Sequence, residues 1–169
     1  ITSEDKIAPV AVAKDVIVEL DATGNVSITP EMIDNGSSDA CGIAKLSLDM
    51  TEFSCVNVGE NTVTLIVEDQ NGNTSETTAV VTVEDISSPV AVAHDISFQL
   101  DENGVATFTP DMIDNGSSDA CGIAKFNLDK TEFSCVNVGE NTVTLTVEDQ
   151  NGNTTETTAV VTVEDNIMP

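Results

Sequence analysis

The sequence contains no tryptophan, no tyrosine and no arginine, and its 169 residues include one histidine, His94. Glycoside hydrolases need a cleft and usually aromatic sugar platforms, so the missing Trp and Tyr argue against such an enzyme and weaken a carbohydrate-binding function. The first half has no histidine for a Ser–His–Asp set, and no glycine-rich phosphate loop is present. We therefore expect a protein that is not an enzyme.

Positive charge is also scarce, because five lysines stand against 30 acidic residues and the formal net charge is −25. Phosphate groups are bound by positive charge, so nucleic acid and anionic membranes are poor partners. No apolar run is long enough to span a bilayer, so we expect no membrane insertion. No signal peptide is recognisable either, but in a fragment neither absence excludes a secreted parent protein. The carboxylates either form a solvated surface or converge in part on cations.

The second half of the chain repeats the first. The run "PVAVAKDV" at 9–16 returns as "PVAVAHDI" at 89–96, and "TEFSCVNVGENTVTL" occurs at both 51–65 and 131–145. The repeat predicts two domains, 1–84 and 85–169. A joint of the form Asp-x-x-x-Pro recurs at 5–9, 85–89 and 165–169. We therefore expect residue 169 to lie within the next linker, with neighbouring repeats of a longer array as partners.

Alternating apolar and polar residues predict strands at 61–69 and 77–85, joined by a Gly/Asn hairpin at 69–74. The first strand should place Val63, Leu65 and Val67 on one face, and the second should bury the face of Ala79, Val81 and Val83. Further strands are expected around 10–13, 16–29, 43–49 and 51–55, with a bulge in 43–49. The predicted fold class is all-β, two tandem immunoglobulin-like Greek-key β-sandwiches joined by a short linker.

The segment "MIDNGSSDACGIAK" at 32–45, identical at 112–125, then becomes the loop between the second and third sandwich strands. In an immunoglobulin-like order this loop, the turn at 69–74 and the incoming joint meet at one end of the domain. Carboxylate and amide oxygens are calcium ligands, so this end is a predicted calcium site. The candidates are Asp5, Asp34, Asp39, Asp69 and Asn71 in the first copy, and Asp85, Asp114, Asp119, Asp149 and Asn151 in the second. The alternative is that these residues only form turns.

Each copy has two cysteines at the same short spacing. One bridge per domain is the simplest of three connectivities, which predicts the disulfides Cys41–Cys55 and Cys121–Cys135. A zinc site would need further Cys or His ligands, and a redox dithiol of the Cys-x-x-Cys type is absent. Even cysteine usage in small β domains favours an oxidising, extracellular setting.

The motif order in "ITPEMIDNGSSDACGI", "NVGENTVTLIVEDQNGNT" and the closing "VTV" resembles that of hyalin-repeat (HYR) modules. The resemblance covers nearly the whole chain twice. It implies an immunoglobulin-like sandwich and an extracellular or cell-surface location, often in tandem arrays of large bacterial surface adhesins or beside catalytic domains of secreted enzymes. The usual Asp-Asn-Cys-Gly of the family is Asp39-Ala40-Cys41-Gly42 here, so one amide ligand is missing.

Together these features predict structural spacer modules of a secreted, adhesin-like repeat protein, stiffened by calcium at the joint between domains. The alternatives are a module that binds a glycan or protein ligand, through its loops or its outward threonines, and an accessory module of a secreted polysaccharide-degrading enzyme.

Overall fold

The structure is a computed structural model that describes residues 2–168, and the chain divides into two compact units, Ile1–Asp85 and Ile86–Pro169. The first unit contains strands β1 (Val16–Glu19), β2 (Asn25–Ser27), β3 (Ile43–Leu48), β4 (Glu52–Ser54), β5 (Gly59–Asp69) and β6 (Thr74–Glu84). Helix α1 (Pro30–Ile33) and a 3-10 helix (Cys55–Asn57) are single turns.

The second unit repeats this order. Its strands are β7 (Ile96–Gln99), β8 (Val105–Thr107), β9 (Ile123–Leu128), β10 (Glu132–Ser134), β11 (Gly139–Asp149) and β12 (Thr154–Glu164). Two 3-10 helices, Pro110–Met112 and Cys135–Asn137, take the places of the two helical turns of the first unit.

The strands of each unit form two sheets. In the first unit one sheet has the order β1-β6-β5-β3, with β1 parallel to β6 and the other pairs antiparallel, and the second sheet pairs β2 with β4. The second unit has the orders β7-β12-β11-β9 and β10-β8. This division of the strands is that of an immunoglobulin-like sandwich, so the predicted fold class is confirmed.

The core lies between the two sheets, where period-2 strands present one apolar face. Val63, Leu65 and Val67 of β5 are fully buried, and Ala79, Val81 and Val83 of β6 lie on the same inner face. From the opposite side the core receives Phe53 of β4 and Ile33 of α1. The predicted inner faces of both strands are therefore confirmed, since side chains alternate between the faces of a strand.

The structure differs from expectation in the short strands. Residues 10–13 form only isolated bridges, from Val10 to Ser38 and from Ala13 to Asp34, because their partner is an irregular loop. Within 16–29, β1 and β2 belong to different sheets, so the turn at 21–24 connects the sheets and does not close a hairpin. The expected bulge in β3 is present between Ile43 and Lys45.

The two longest strands of the first unit, β5 and β6, run from one end of the unit to the other. The acidic end of the first unit carries Asp69, the last residue of β5, together with the loop at 34–42 and the incoming segment with Asp5. The far end carries Gly59, which pairs with Val83 next to the last residue of β6. Eleven-residue strands separate these ends by about 33 Å. Among the described residues no helix is long and apolar enough to cross a membrane.

Candidate functional site at the acidic end

The turn between β5 and β6 is organised by the carboxylate of Asp69, which is 1 % exposed. Its Oδ1 accepts hydrogen bonds from the backbone amides of Asn71 (2.7 Å) and Asn73 (2.9 Å), and its Oδ2 accepts one from the Asn73 side chain (2.7 Å). Gly72 has φ +87°, a conformation that other residues rarely adopt, which lets the turn close around the carboxylate.

Asn73 also connects this turn to the incoming segment. Its Nδ2 donates to the carbonyl oxygen of Asp5 at 3.1 Å, between positions that are distant in sequence. Ser75 on β6 donates its hydroxyl to the carbonyl oxygen of Pro9. These contacts attach the incoming segment to the start of β6, so Asp5 is held at the acidic end.

The loop at 34–42 contains two aspartates with different roles. Asp34 accepts from the amides of Gly36 (3.3 Å) and Ser37 (3.0 Å), while the Ser37 hydroxyl accepts from the Val12 amide at 2.9 Å and donates to the Val12 carbonyl at 3.3 Å. Asp39 accepts from the Cys41 amide at 2.7 Å. Asp34 therefore caps a turn and supports the docked segment 10–13, whereas Asp39 lies farther along the loop.

Asp5, Asp39 and Cys41 bring together potential ligand atoms that all lie within 4.8 Å of one another. Asp5 and Asp39 are half-buried and Cys41 is exposed. The Oδ1 atom of Asp5 also accepts from the Ile7 amide at 3.0 Å. Two carboxylates from segments far apart in sequence thus converge beside Asp69.

The negative charge of this cluster changes the pKa of the Cys41 thiol. A hydrogen bond to Asp5 and the negative charge of Asp5 raise the pKa of Cys41, with smaller contributions from burial and from Asp39 and Asp69. The turn carboxylates behave in the opposite way. Burial acts to raise the pKa of Asp69, but hydrogen bonds from Asn73, Asn71 and Gly72 outweigh it and leave the pKa lowered.

Asp34 shows the same balance. Burial acts to raise its pKa, while hydrogen bonds from Ser37 and Gly36 and the charge of Lys14 lower it. Because these bonds favour the ionised form, Asp34 and Asp69 are anions built into the fold.

The second unit reproduces the internal contacts. Asp149 accepts from the amides of Asn151 (2.7 Å) and Asn153 (2.9 Å) and from the Asn153 side chain (2.8 Å). Asp114 accepts from Gly116 and Ser117, and Asp119 accepts from the Cys121 amide at 2.7 Å. Asp85, which corresponds to Asp5 in the repeat, is the last residue of the first unit.

The predicted ligand set is thus only partly assembled. The structure brings Asp5 and Asp39 together and places Asp69 next to them, whereas Asp34 is occupied in its own turn. Asn71 contributes a backbone amide to the turn. Two residues of the cluster were missed, Cys41 and Asn73. Only the repeated "NGN" turn, which puts an amide two residues beyond Asn71, pointed in sequence towards Asn73.

The predicted pairing Cys41–Cys55 is wrong. Gly42, next to Cys41, accepts a hydrogen bond from the Gln70 amide, which fixes Cys41 at the acidic end. The Sγ atom of Cys55 lies 3.7 Å from the Gly24 carbonyl oxygen at the far end. A disulfide needs Cα atoms within about 7 Å, but the ends are about 33 Å apart. Cys41 is accordingly a free thiol.

The predicted pairing Cys121–Cys135 is wrong for the same reason. Gly122 accepts from Gln150 at the acidic end of the second unit, and Cys135 lies beside Gly104 at the far end, with Sγ 3.8 Å from its carbonyl oxygen. Cys135 is a free thiol, whereas Cys55 and Cys121 are disulfide-bonded.

The donor chemistry of the cluster suits a hard cation in part. Calcium takes oxygen ligands from carboxylates and carbonyls, and Asp5 and Asp39 provide two carboxylates. The Cys41 sulfur is a soft donor that calcium does not use. Two carboxylates supply at most four of the six to eight oxygens that calcium prefers, so an ion here would need further oxygens from backbone, water or another segment.

No family model matches the chain, and no curated protein matches it. Solved structures with a similar arrangement include human protocadherin-24 EC1-2 (11 % identity, TM-score 0.46), with coverage of 95 % of this chain and 100 % of that chain. Drosophila N-cadherin EC1-4 matches at 10 % identity and TM-score 0.47, over 94 % of this chain and 50 % of that chain.

The fibronectin(III)-like modules of Clostridium thermocellum CbhA match at 16 % identity and TM-score 0.34, over 93 % of this chain and 92 % of that chain. The chain therefore spans half the length of the N-cadherin structure and nearly all of the other two. At these identities the likeness concerns the fold alone.

Proposed function

We propose that the two units are hyalin-repeat-type spacer modules of an extracellular, adhesin-like repeat protein, with calcium bound at the joint between consecutive modules. The neighbouring repeats are the partners of each module in this function. The order of the Asp-rich loop, the "VGENTVT" strand and the "VEDQNGN" turn supports the hyalin-repeat assignment. Disulfide bonding at Cys55 and Cys121 supports an oxidising, extracellular location.

The observation that carries the spacer function is the path of the chain through a module. The incoming segment is attached at the acidic end through Asn73 and Asp5, and β6 leaves at Glu84 at the far end. A module whose chain enters at one end and leaves at the other, about 33 Å away, adds its length to an array.

The convergence of Asp5 and Asp39 beside Asp69 supports calcium binding. A bound cation would offset the mutual repulsion of these carboxylates and attach the incoming segment to the loop at 34–42. We therefore propose Asp5 and Asp39 as the ligands of the first module, and Asp85 and Asp119 as their equivalents. Asp69 and Asp149 are held in their own turns by hydrogen bonds and add negative charge beside the ligands. Asn71 and Asn151 are secondary candidates. Asp34 and Asp114 are excluded from this set because each caps its own turn.

The test is thermal unfolding by calorimetry and small-angle scattering, each in excess calcium and in chelator. We expect calcium to raise the unfolding temperature, since a ligand that binds only the folded state stabilises it. We also expect calcium to narrow the distribution of intramolecular distances. If neither quantity responds to calcium, the calcium-stiffened spacer is refuted.

A charge-matched pair of variants makes the test specific. Asp5→Asn/Asp39→Asn removes two charges from the acidic end, and Glu52→Gln/Glu60→Gln removes two charges elsewhere in the same module. Only the first should lose the response of the first module to calcium. An equal loss in both would mean that calcium acts on the net charge alone. A specific hit on a glycan array would instead favour the ligand-binding alternative.

A further inference from the structure

Two exposed turns at the acidic end of the first unit contain an asparagine followed by a glycine, Asn35-Gly36 and Asn71-Gly72. A Cβ built on either glycine would meet nothing within 4 Å among the described residues, so both turns are open to solvent. In such a pair the glycine nitrogen can attack the asparagine side chain, since no Cβ hinders the approach. The contacts within the folded unit decide which pair reacts.

The Asn71-Gly72 pair lies in the hairpin turn between β5 and β6, and its glycine amide is weakly held. The Gly72 amide donates to the Asp69 carbonyl oxygen at 3.4 Å, which is longer than an ordinary hydrogen bond. Asn71 is bonded through its backbone amide, which donates to Asp69 Oδ1 at 2.7 Å. All of these contacts lie within one turn, so the attacking nitrogen is free to move without breaking a contact to a distant segment.

The Asn35-Gly36 pair is held more firmly. The Gly36 amide donates to the Asp34 carboxylate at 3.3 Å, and a hydrogen bond to an ionised acceptor is stronger than one to a neutral carbonyl. An anionic acceptor also disfavours loss of the amide proton, which is the first step of the attack. The Asn35 amide donates to the Val12 carbonyl oxygen at 2.9 Å, so the docked segment 10–13 restrains this loop as well.

Asn73 lies in the same turn as Asn71 but is protected. Its side-chain amide donates to Asp69 Oδ2 at 2.7 Å and to the Asp5 carbonyl oxygen at 3.1 Å. The next residue is Thr74, whose branched side chain hinders the approach of its backbone nitrogen. Two asparagines two positions apart should therefore have opposite reactivity.

We infer that Asn71 is a site of spontaneous deamidation, which converts a neutral side chain of the acidic end into a carboxylate. The Gly72 nitrogen loses its proton to a base in solution and bonds to Cγ of Asn71. The bond from Cγ to the side-chain nitrogen breaks, ammonia leaves, and a succinimide ring remains. Water then opens either of the two ring C–N bonds, which gives aspartate or isoaspartate at position 71. The acidic end thus gains one negative charge as the protein ages.

The second unit repeats these contacts and adds a further comparison. The Gly152 amide donates to the Asp149 carbonyl oxygen at 3.4 Å, and the Gly116 amide donates to the Asp114 carboxylate at 3.3 Å. A third pair, Asn103-Gly104, is found only in this unit, and its glycine amide donates to the Asp101 carbonyl oxygen at an ordinary 2.9 Å. We therefore expect Asn151 to react faster than both Asn115 and Asn103.

The test follows deamidation of the full chain in mildly alkaline water enriched in oxygen-18, with chelator present so that no cation contributes. The protein is incubated folded or in concentrated urea, then reduced, cleaved after lysine and sequenced by tandem mass spectrometry. Fragment 15–45 reports Asn35, and fragment 46–125 reports Asn71 and Asn73. The heavy oxygen marks only those sites that reacted during the incubation.

In the folded protein Asn71 should take up label roughly fivefold faster than Asn35, because its glycine amide has the weaker, uncharged acceptor. Asn73 should take up none. In urea the two Asn-Gly pairs should react at nearly the same rate, since the contacts that distinguish them are lost. Equal rates in the folded protein, or faster reaction at Asn35, would overturn the inference.

The variant Asn71→Gln provides the matched control. Glutamine keeps the amide but would have to close a six-membered ring, which forms far more slowly. Label at position 71 should disappear, and the rate at Asn35 should stay the same because the two loops react independently. Persistent label at position 71, or a changed rate at Asn35, would contradict the assignment of these rates to local contacts. Neither result depends on whether calcium binds at the acidic end.

Discussion

Both ends of a module hold their loops by hydrogen bonds between side chains and backbone, through neutral amides at the far end and a carboxylate at the acidic end. At the far end Asn61 donates its Nδ2 to the carbonyl oxygens of Asn57 (2.7 Å) and Gly59 (3.1 Å), and the Asn57 side chain accepts from the Ser54 amide (2.9 Å). At the acidic end the corresponding acceptor is the carboxylate of Asp69. The neighbouring far-end turn is held by a carboxylate as well, because Asp21 accepts from the amide and hydroxyl of Thr23 and from the Asn25 amide. One turn-forming side chain is thus enough to hold a loop at either end, so the charge at the acidic end beyond the turn-forming aspartates is available for another role.

This comparison separates two classes of carboxylate. Asp34 and Asp69 each accept several backbone hydrogen bonds and have lowered pKa values. Asp5 and Asp39 each accept one short-range backbone bond and converge on each other. The first class holds the loops in place, and the second class is the one that a cation would neutralise.

The largest effect is expected from the buried turn carboxylate. Asp69→Ala leaves the amides of Asn71 and Asn73 without their acceptor, which should lower the unfolding temperature of the first module by roughly 10 °C. Calorimetry should show one transition moving and the transition of the second module staying in place. Asp39→Asn, which keeps an acceptor for the Cys41 amide, should lower the unfolding temperature of the first module by less than half as much. Equal losses would remove the distinction between the two classes.

A smaller loss is expected at the far end. Asn61→Ala removes a side chain that donates to Asn57 and Gly59, which costs about 1 kcal/mol and lowers the unfolding temperature by roughly 5 °C. Calorimetry in calcium and in chelator should give the same loss. A loss that depends on calcium would mean that the far end also takes part in cation binding.

Removing the charges of Asp5 and Asp39 should change the unfolding temperature in the opposite direction. In chelator, Asp5→Asn/Asp39→Asn relieves repulsion and should raise the unfolding temperature of the first module by about 2 °C. In excess calcium the same variant should be less stable than the unmodified protein. The measurement is calorimetry at low ionic strength, where exposed charges are least screened. Destabilisation in chelator would show that this pair, too, is needed for folding.

The smallest effect concerns the thiol of the cluster. Because Asp5 raises the pKa of Cys41, less thiolate is present at a given pH, and the midpoint of its alkylation rate should lie above the ordinary thiol range. Asp5→Asn should move that midpoint to lower pH, as measured by mass spectrometry of the fragment 15–45, which contains Cys41 and is released by cleavage after lysine. Glu60→Gln should leave it unchanged. If the midpoint is the same in Asp5→Asn and in the unmodified protein, the contact between Asp5 and the Cys41 thiol is contradicted.

The fold was predictable because β5 and β6 alternate cleanly along their whole length, which determines their inner faces, their pairing and the position of the turn between them. The acidic end was predictable in outline for the same reason. The different roles of Asp34 and Asp39 were not predictable, because the two aspartates lie in the same short segment and look alike in sequence. Only the docking of Val12 against Ser37 places one in a turn and leaves the other beside Asp5.

The prediction of the cysteine pairing was wrong for a geometric reason. The short spacing between Cys41 and Cys55 suggested a small local loop, but the intervening chain includes β3 and the turn into β4, and it runs from the acidic end to the far end. The number of residues between two cysteines gives the length of the chain that connects them, but not the direction in which that chain runs. The strand order decides which end each cysteine occupies, and that order depends on contacts such as Gly42 with Gln70 and Cys55 with Gly24.

The parallel pairing of β1 with β6 has a consequence for mechanical load. Four residue pairs, from Val16–Val81 to Glu19–Glu84, connect a strand near the start of the module to the strand that ends it. A pull applied at the two ends of a module draws these strands past each other along their length. The bonds between them are then loaded together rather than opened one after another. A module built this way should resist tension far better than its modest core would suggest, a useful property in a tether.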